Sequence, residues 1–239
     1  ATVRDELTKS ESPSDTCAAP RPGAAHEADG TPARPALLPD RVTCPPLPSR
    51  EGPVTFESVP RRILRAGDER GTAVAYAYRR GARWARVSWS EFASRVRAAA
   101  KGLIALGVEP GTPVCILGTN QPEWTIFDVA AMAIGALPAG IYPTNTPEEC
   151  AYVINHSGAP VLLVQSPERL TPLLAKRAEM PGLHHIVLMG NTPIVAAGVV
   201  TWDEFLAGGS GVTDEAVETR LGAFVHGAAA TEIYTSGTT

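Results

Sequence analysis

The densest set of groups able to do chemistry in this chain lies between Thr231 and Thr239. A short β-prone stretch, Glu232-Ile-Tyr234, runs into Thr235, Ser236, Gly237, Thr238 and Thr239, which are four hydroxyl side chains and one glycine in succession. Such a loop turns several backbone N–H groups and hydroxyls toward one anion, and Gly237 is free to take positive φ and let that anion approach the backbone. A nucleotide phosphate is the natural guest. The run is not a Walker A loop, because no Gly-Lys-Ser or Gly-Lys-Thr occurs in it. A plain turn or flexible end explains the same composition, so both readings stand on these residues alone.

Other chemistry-bearing residues read as structural. His156 and the pair His184-His185 have no Cys, Asp or second His at metal-ligand spacing, which points to surface or strand-end roles. Cys115 and Cys150 lack a neighbouring base in sequence to lower their pKa and are expected to be small buried apolar groups. Trp124, in the first turn of a helix, is expected to make a core or capping contact. Tyr142, Thr144 and Asn145 fall in a strand-to-helix loop, where a turn explains their types as well as substrate contact does.

The elements that must position these groups alternate regularly. Thr72–Tyr78 and Trp84–Ser88 form a hairpin about a turn at Arg79–Gly81. Ser88-Trp-Ser-Glu91 has capping-box spacing and opens a helix whose apolar positions Phe92, Val96, Ala99, Leu103 and Leu106 recur at helical intervals up to Gly107. Pro113–Leu117 is a short apolar strand. Asn120-Gln-Pro-Glu-Trp124 opens a second helix, with Pro122 and Glu123 where a missing donor and a negative charge suit the first turn. Leu137–Tyr142 is the next strand, and Thr146-Pro-Glu-Glu149 caps the helix that Ser157-Gly158 stops. A strand at Pro160–Gln165, a helix from Ser166-Pro167 to about Glu179, a strand at His185–Met189 and a short helix capped by Thr201-Trp-Asp-Glu204 complete the series. Apolar strands of about five residues separated by amphipathic helices predict an α/β fold with a mostly parallel sheet covered on both faces. Ligands of such sheets bind beyond the carboxyl ends of the strands.

The 239 residues are 44% hydrophobic and 19% charged, which is the composition of a globular chain. Residues 1–53 are the exception: Pro, Ala, Gly, Ser, Thr and Arg dominate without apolar periodicity, so a disordered leader is expected there, with 54–239 forming the folded domain. A net charge of −4 argues against a nucleic-acid partner. The four cysteines show no Cys-x-x-Cys pair, which fits a reducing, cytoplasmic setting. The longest apolar stretch, Val129–Ile141, is too short to span a membrane and is broken by Gly135, Pro138 and Gly140. The residues leave peripheral membrane association and oligomeric state open.

Tyr234-Thr-Ser-Gly-Thr-Thr239 resembles the first half of the phosphate-loop signature of the adenylate-forming, or AMP-binding, superfamily. That signature continues in the family with Gly-x-Pro-Lys-Gly, which these residues do not contain. Gly135–Tyr152, with Asn120–Trp124 and Ser88–Glu91 in order before it, resembles long-chain fatty acyl-CoA synthetases, most closely the bubblegum type. The likeness extends over about Val54–Thr239, so the chain reads as an N-terminal part of that fold, ending within the phosphate loop. It implies ATP, magnesium and coenzyme A as cofactors and cosubstrate, a fatty acid as substrate, and a two-step ligation through an acyl-adenylate. By the same likeness Thr235, Ser236, Gly237, Thr238 and Thr239 cradle the β- and γ-phosphates and Thr235 helps hold the metal. No catalytic residue is expected among the 239, because the substrate carboxylate itself attacks, and the chain alone is expected to be inactive. The alternatives are an adenylating ligase for another carboxylic acid and a noncatalytic nucleotide-binding or interaction module.

Overall fold

The computed structural model describes residues 57–235. The expected leader at 1–53 and the loop residues Ser236, Gly237, Thr238 and Thr239 lie outside the described residues.

Ser58 accepts a hydrogen bond from the Arg61 N–H and Pro60 occupies the first turn, starting α1 (Val59–Arg70), a helix not among the elements expected above. The hairpin follows as β1 (Val74–Arg80) and β2 (Arg83–Ser88). Its first strand continues through Arg80, leaving Gly81-Ala82 as a two-residue connection in which Gly81 supplies the positive φ that short hairpin turns demand. The reciprocal capping box of Ser88 and Glu91 launches α2 (Trp89–Ala105).

From there strands and helices alternate: β3 (Pro113–Leu117), α3 (Pro122–Ala133), β4 (Leu137–Ile141), α4 (Pro147–Ser157), β5 (Val161–Val164), α5 (Pro167–Ala175), β6 (His185–Leu188), β7 (Val199–Thr201), α6 (Trp202–Gly208), α7 (Asp214–Gly222) and β8 (Glu232–Ile233). Capping boxes at Thr146–Glu149 and Thr201–Glu204 form as their spacing predicts. The helix expected to reach Glu179 ends at Ala175, where Lys176 leaves helical dihedrals, and a single 3-10 turn covers Arg177–Glu179. That turn is held from outside, because the Asn155 side chain donates to the Glu179 carbonyl.

Six strands form one sheet in the order β7-β6-β5-β3-β4-β8, and every pairing is parallel. This α/β sheet, mostly parallel by expectation, is wholly parallel among the described residues. Because strand side chains alternate between faces, each buried strand feeds two cores. Val114 and Ile116 of β3, Val161 and Leu163 of β5 and Val187 of β6 pack with α2, α3 and the α6–α7 segment. Cys115, Leu117, Leu162, Val164, Ile186 and Leu188 face the other way, toward α4 and α5. The connection from β3 runs one way along the sheet to β4, while that from β5 runs the other way to β6. The carboxyl ends of β3 and β5 therefore flank the topological switch point, where doubly wound sheets commonly bind ligands.

Candidate functional site

The switch point is filled. Gly118 follows β3, and a Cβ placed on it would lie 2.9 Å from the Gln165 Cβ and 3.2 Å from the Met189 Cε. The Gln165 side chain accepts a hydrogen bond from the Thr119 N–H at 2.9 Å, and the Gln165 N–H donates to the Leu117 carbonyl. Two strand ends are thus stitched together where an open crevice would otherwise lie.

The open space is one strand further along. β8 pairs with β4 through Ala139↔Glu232 and Gly140↔Ile233, so its parallel direction carries the chain out at the carboxyl edge of the sheet. The Thr231 hydroxyl donates to the Pro138 carbonyl at 2.7 Å and sets that register. Tyr234 and Thr235 come next, Thr235 exposed beyond the strand end. Of the five residues expected to cradle phosphate and metal, Thr235 alone falls among the described residues, and it stands at the edge where such sheets bind ligands.

Tyr234 is anchored from α4. Its hydroxyl lies 2.9 Å from His156 Nδ1, its ring meets the imidazole edge-on, and Tyr152, one helical turn earlier, stacks on the imidazole's face. Partial burial and the nearby Glu232 carboxylate raise the Tyr234 pKa, so the phenol stays protonated and can donate to a neutral imidazole. His156, expected to be a plain surface residue, is in fact the partner of the residue that precedes the hydroxyl-rich run. The two are 78 positions apart, and nothing local in the sequence signals the contact.

On the other side of β8 lies a groove of about 440 Å³, walled by α3, the ends of β3 and β4, and residues 231–234. Trp124, Asp128 and Met132, at intervals of four on α3, share the face that lines it. Trp124 packs against the core as expected, but its ring also forms a wall of this groove, 3.7 Å from where a Cβ on Gly140 would stand. Asp128 is half-buried, and burial pushes its carboxyl pKa up to about 6. No hydrogen bond or ion pair engages it among the described residues. The Arg169 side chain donates to the Pro143 carbonyl and fixes the turn after β4, in which Tyr142, exposed, lines the groove, Thr144 is exposed and Asn145 is half-buried.

The remaining candidates behave as buried or peripheral groups. Cys115 and Cys150 are buried, and burial pushes their thiols up to about 12 and about 11, which makes them inert as nucleophiles at neutral pH. His185 begins β6, at the amino edge of the sheet, and burial lowers its pKa. Among the described residues no cluster of three or more His, Cys, Asp or Glu side chains could hold a metal. No helix among these residues is long and apolar enough to cross a membrane.

The fold recurs in known proteins. Residues 64–239 match the AMP-binding enzyme family. The chain is 32% identical over 198 residues to the long-chain-fatty-acid–CoA ligase ACSBG1 of Homo sapiens, covering 82% of this chain and 26% of that protein. It is 35% identical over 156 residues to the long-chain-fatty-acid–CoA ligase FadD15 of Mycobacterium bovis, covering 65% of this chain and 25% of that one. The anthranilate CoA ligase AuaEII, solved in complex with anthranoyl-AMP, superposes with a TM-score of 0.54 at 25% identity, over 61% of this chain and 27% of its own. The acetoacetyl-CoA synthetase of Streptomyces lividans shares the fold with a TM-score of 0.56 at 23% identity, over 62% of this chain and 24% of its own. The chain thus spans about a quarter of the length of these relatives. It belongs to the AMP-binding enzyme family, and its relatives include long-chain-fatty-acid–CoA ligases of the bubblegum group.

Proposed function

We propose that these residues are the N-terminal part of an ATP-dependent ligase that joins a long-chain fatty acid to coenzyme A, with 54–239 as its folded unit. The observation that carries the reading is the exit of β8 at the carboxyl edge of the sheet, with Tyr234 tethered to His156 immediately before Thr235.

In the proposed reaction the fatty carboxylate oxygen attacks the α-phosphorus of ATP and the bond to the β-phosphate breaks, giving acyl-adenylate and pyrophosphate. The thiolate sulfur of coenzyme A then bonds the acyl carbon and AMP leaves. An anionic nucleophile approaching a polyanion needs donors in place beforehand, because preorganised dipoles cost no reorganisation at the barrier. Backbone N–H groups and hydroxyls of Thr235, Ser236, Gly237, Thr238 and Thr239 take that role toward the β- and γ-phosphates, with the Thr235 hydroxyl directed to magnesium. Magnesium, when bound, offsets the charge on the phosphate oxygens. The His156–Tyr234 bond restrains the start of the loop, so less entropy is lost when phosphate arrives. Residues 231–239 contain no Lys or Arg, so the run supplies dipoles and no positive charge. On that ground the 239 residues alone are expected to form no acyl-CoA.

The test is acid-dependent exchange of labelled pyrophosphate into ATP by the natural protein that carries these residues. Exchange driven by palmitate, and not by benzoate or amino acids, supports the reading. Exchange driven by an aryl or amino acid instead, or none with any acid, overturns it.

A further inference from the structure

The β1–β2 hairpin carries a charge arrangement found nowhere else among the described residues. Between Gly71 and Ser90 stand four arginines, Arg79, Arg80, Arg83 and Arg86, with no Lys, Asp or Glu, in a chain of 21 basic and 25 acidic residues. All four are exposed. The ion pairs among the described residues engage the cations of α1, α2 and the later helices, and none engages these four.

The register makes the arrangement costly for the protein alone. Arg80 and Arg83 are direct cross-strand partners beside the two-residue turn, a position where like charges repel. Arg79 pairs across the strands with Trp84, and its guanidinium carbon lies 5.4 Å from the indole centroid. Trp84 is 65% exposed and Val74, near the hairpin's base, 53%, while Ala77 and Ala82 keep the outer surface shallow. Tyr76 and Tyr78, by contrast, turn toward Phe92 and the core, so the fold has an inward aromatic side available and still sets Trp84 outward.

An exposed indole at a hairpin tip, with Arg79 and Arg86 on its own face and Arg80 and Arg83 beside the turn on the other, has complementary chemistry in one kind of surface. Indole rings settle at the headgroup level of a bilayer, long cationic side chains lay their stems along it, and anionic headgroups attract each basic residue. Nucleic acid is disfavoured, because single-strand binders offer several exposed stacking aromatics, and Trp84 is the one exposed aromatic of the hairpin. We propose that the hairpin is a docking element for an anionic lipid surface, with Trp84 seated among headgroups and Arg79, Arg80, Arg83 and Arg86 on their phosphates and carboxylates. The proposal concerns a face separate from the β8 edge and stands or falls independently of the ligase reading.

The experiment is co-sedimentation of the natural protein that carries these residues with vesicles of equimolar phosphatidylcholine and phosphatidylserine, against vesicles of phosphatidylcholine alone. Partition into the anionic vesicles only, weakened by added salt, is the expected result. Each arginine near the surface is worth about fivefold, so Arg80→Gln with Arg83→Gln lowers partition roughly 25-fold, and Trp84→Ala lowers it again. Arg62→Gln with Arg65→Gln removes the same charge from the exposed side of α1 and is expected to leave partition unchanged. All are surface changes, and unchanged circular dichroism confirms that the fold persists. Equal binding to neutral vesicles, an equal loss in the α1 control, no binding to either vesicle, or binding to a single-stranded oligonucleotide in place of vesicles would each overturn the proposal.

Discussion

Two crevices open at the carboxyl edge of the same sheet, and they have opposite fates. The one between β3 and β5, which the topology designates for a ligand, is closed by Gln165 and Met189 against Gly118. The one between α3, β4 and β8 stays open, walled by Trp124, Asp128 and Tyr234 and bordered by the residues that run into the hydroxyl-rich loop. Strand order alone therefore names the edge but not the crevice. The choice is made by side chains, an amide that bonds across one gap and a half-buried carboxylate that lines the other.

The contrast is most exposed to a change of volume. Gly118→Val would force a branched side chain into contact with Gln165 and is expected to cost about 1–3 kcal/mol of stability. Gly140→Ala in β4 meets Trp124 only at ordinary van der Waals distance and is expected to shift stability by less than about 1 kcal/mol, measured for both by denaturant titration. Equal losses would mean that the second crevice is as tightly filled as the first.

The next effect is electrostatic. Burial raises the Asp128 pKa from 3.8 to about 6, so the folded state holds this proton more tightly than the unfolded chain does. The penalty is present in full above about pH 6, shrinks as pH falls toward 3.8, and is absent below it. After discounting for partial solvent exposure, Asp128→Asn is expected to gain about 1–2 kcal/mol well above pH 6 and to flatten stability between those limits. A variant whose pH dependence matches the parent's would show that Asp128 is solvated or paired.

Smaller changes sharpen the same contrast. Gln165→Ala leaves the Thr119 N–H without its acceptor and is expected to cost about 1 kcal/mol while leaving nucleotide affinity alone. Tyr234→Phe removes the hydroxyl that bonds His156 and is expected to cost under about 1 kcal/mol, yet to raise the KM for ATP in pyrophosphate exchange. A stability change without a KM change would confine the His156–Tyr234 pair to packing.

Elements written in local chemistry are legible in the residues themselves. The capping residues Ser88, Thr146 and Thr201, the strand at Pro113–Leu117 and the left-handed Gly158 each depend on neighbours within a few positions. α1 goes unexpected although Ser58, Pro60 and a one-sided set of apolar residues mark it, because its four arginines leave it strongly polar on average. β7 is three residues long and α7 buries only Val217 and Leu221, too little apolar signal for periodicity to register. At the candidate site the hydroxyl-rich run is legible as composition. The His156 anchor, the Gln165 plug and the Asp128 carboxyl are not, because each acquires its role from a residue or a degree of burial that the fold supplies from far along the chain.

The most direct measurement is amide hydrogen exchange on the natural protein with and without magnesium ATP. Slowed exchange confined to Tyr234–Thr239 and the facing turn after β4, with Gln165–Ser166 and Met189–Gly190 unchanged, is the expected outcome. Slowed exchange at Gln165–Ser166 and Met189–Gly190, with Tyr234–Thr239 unaffected, would place the nucleotide in the filled crevice and contradict the assignment of the β8 edge.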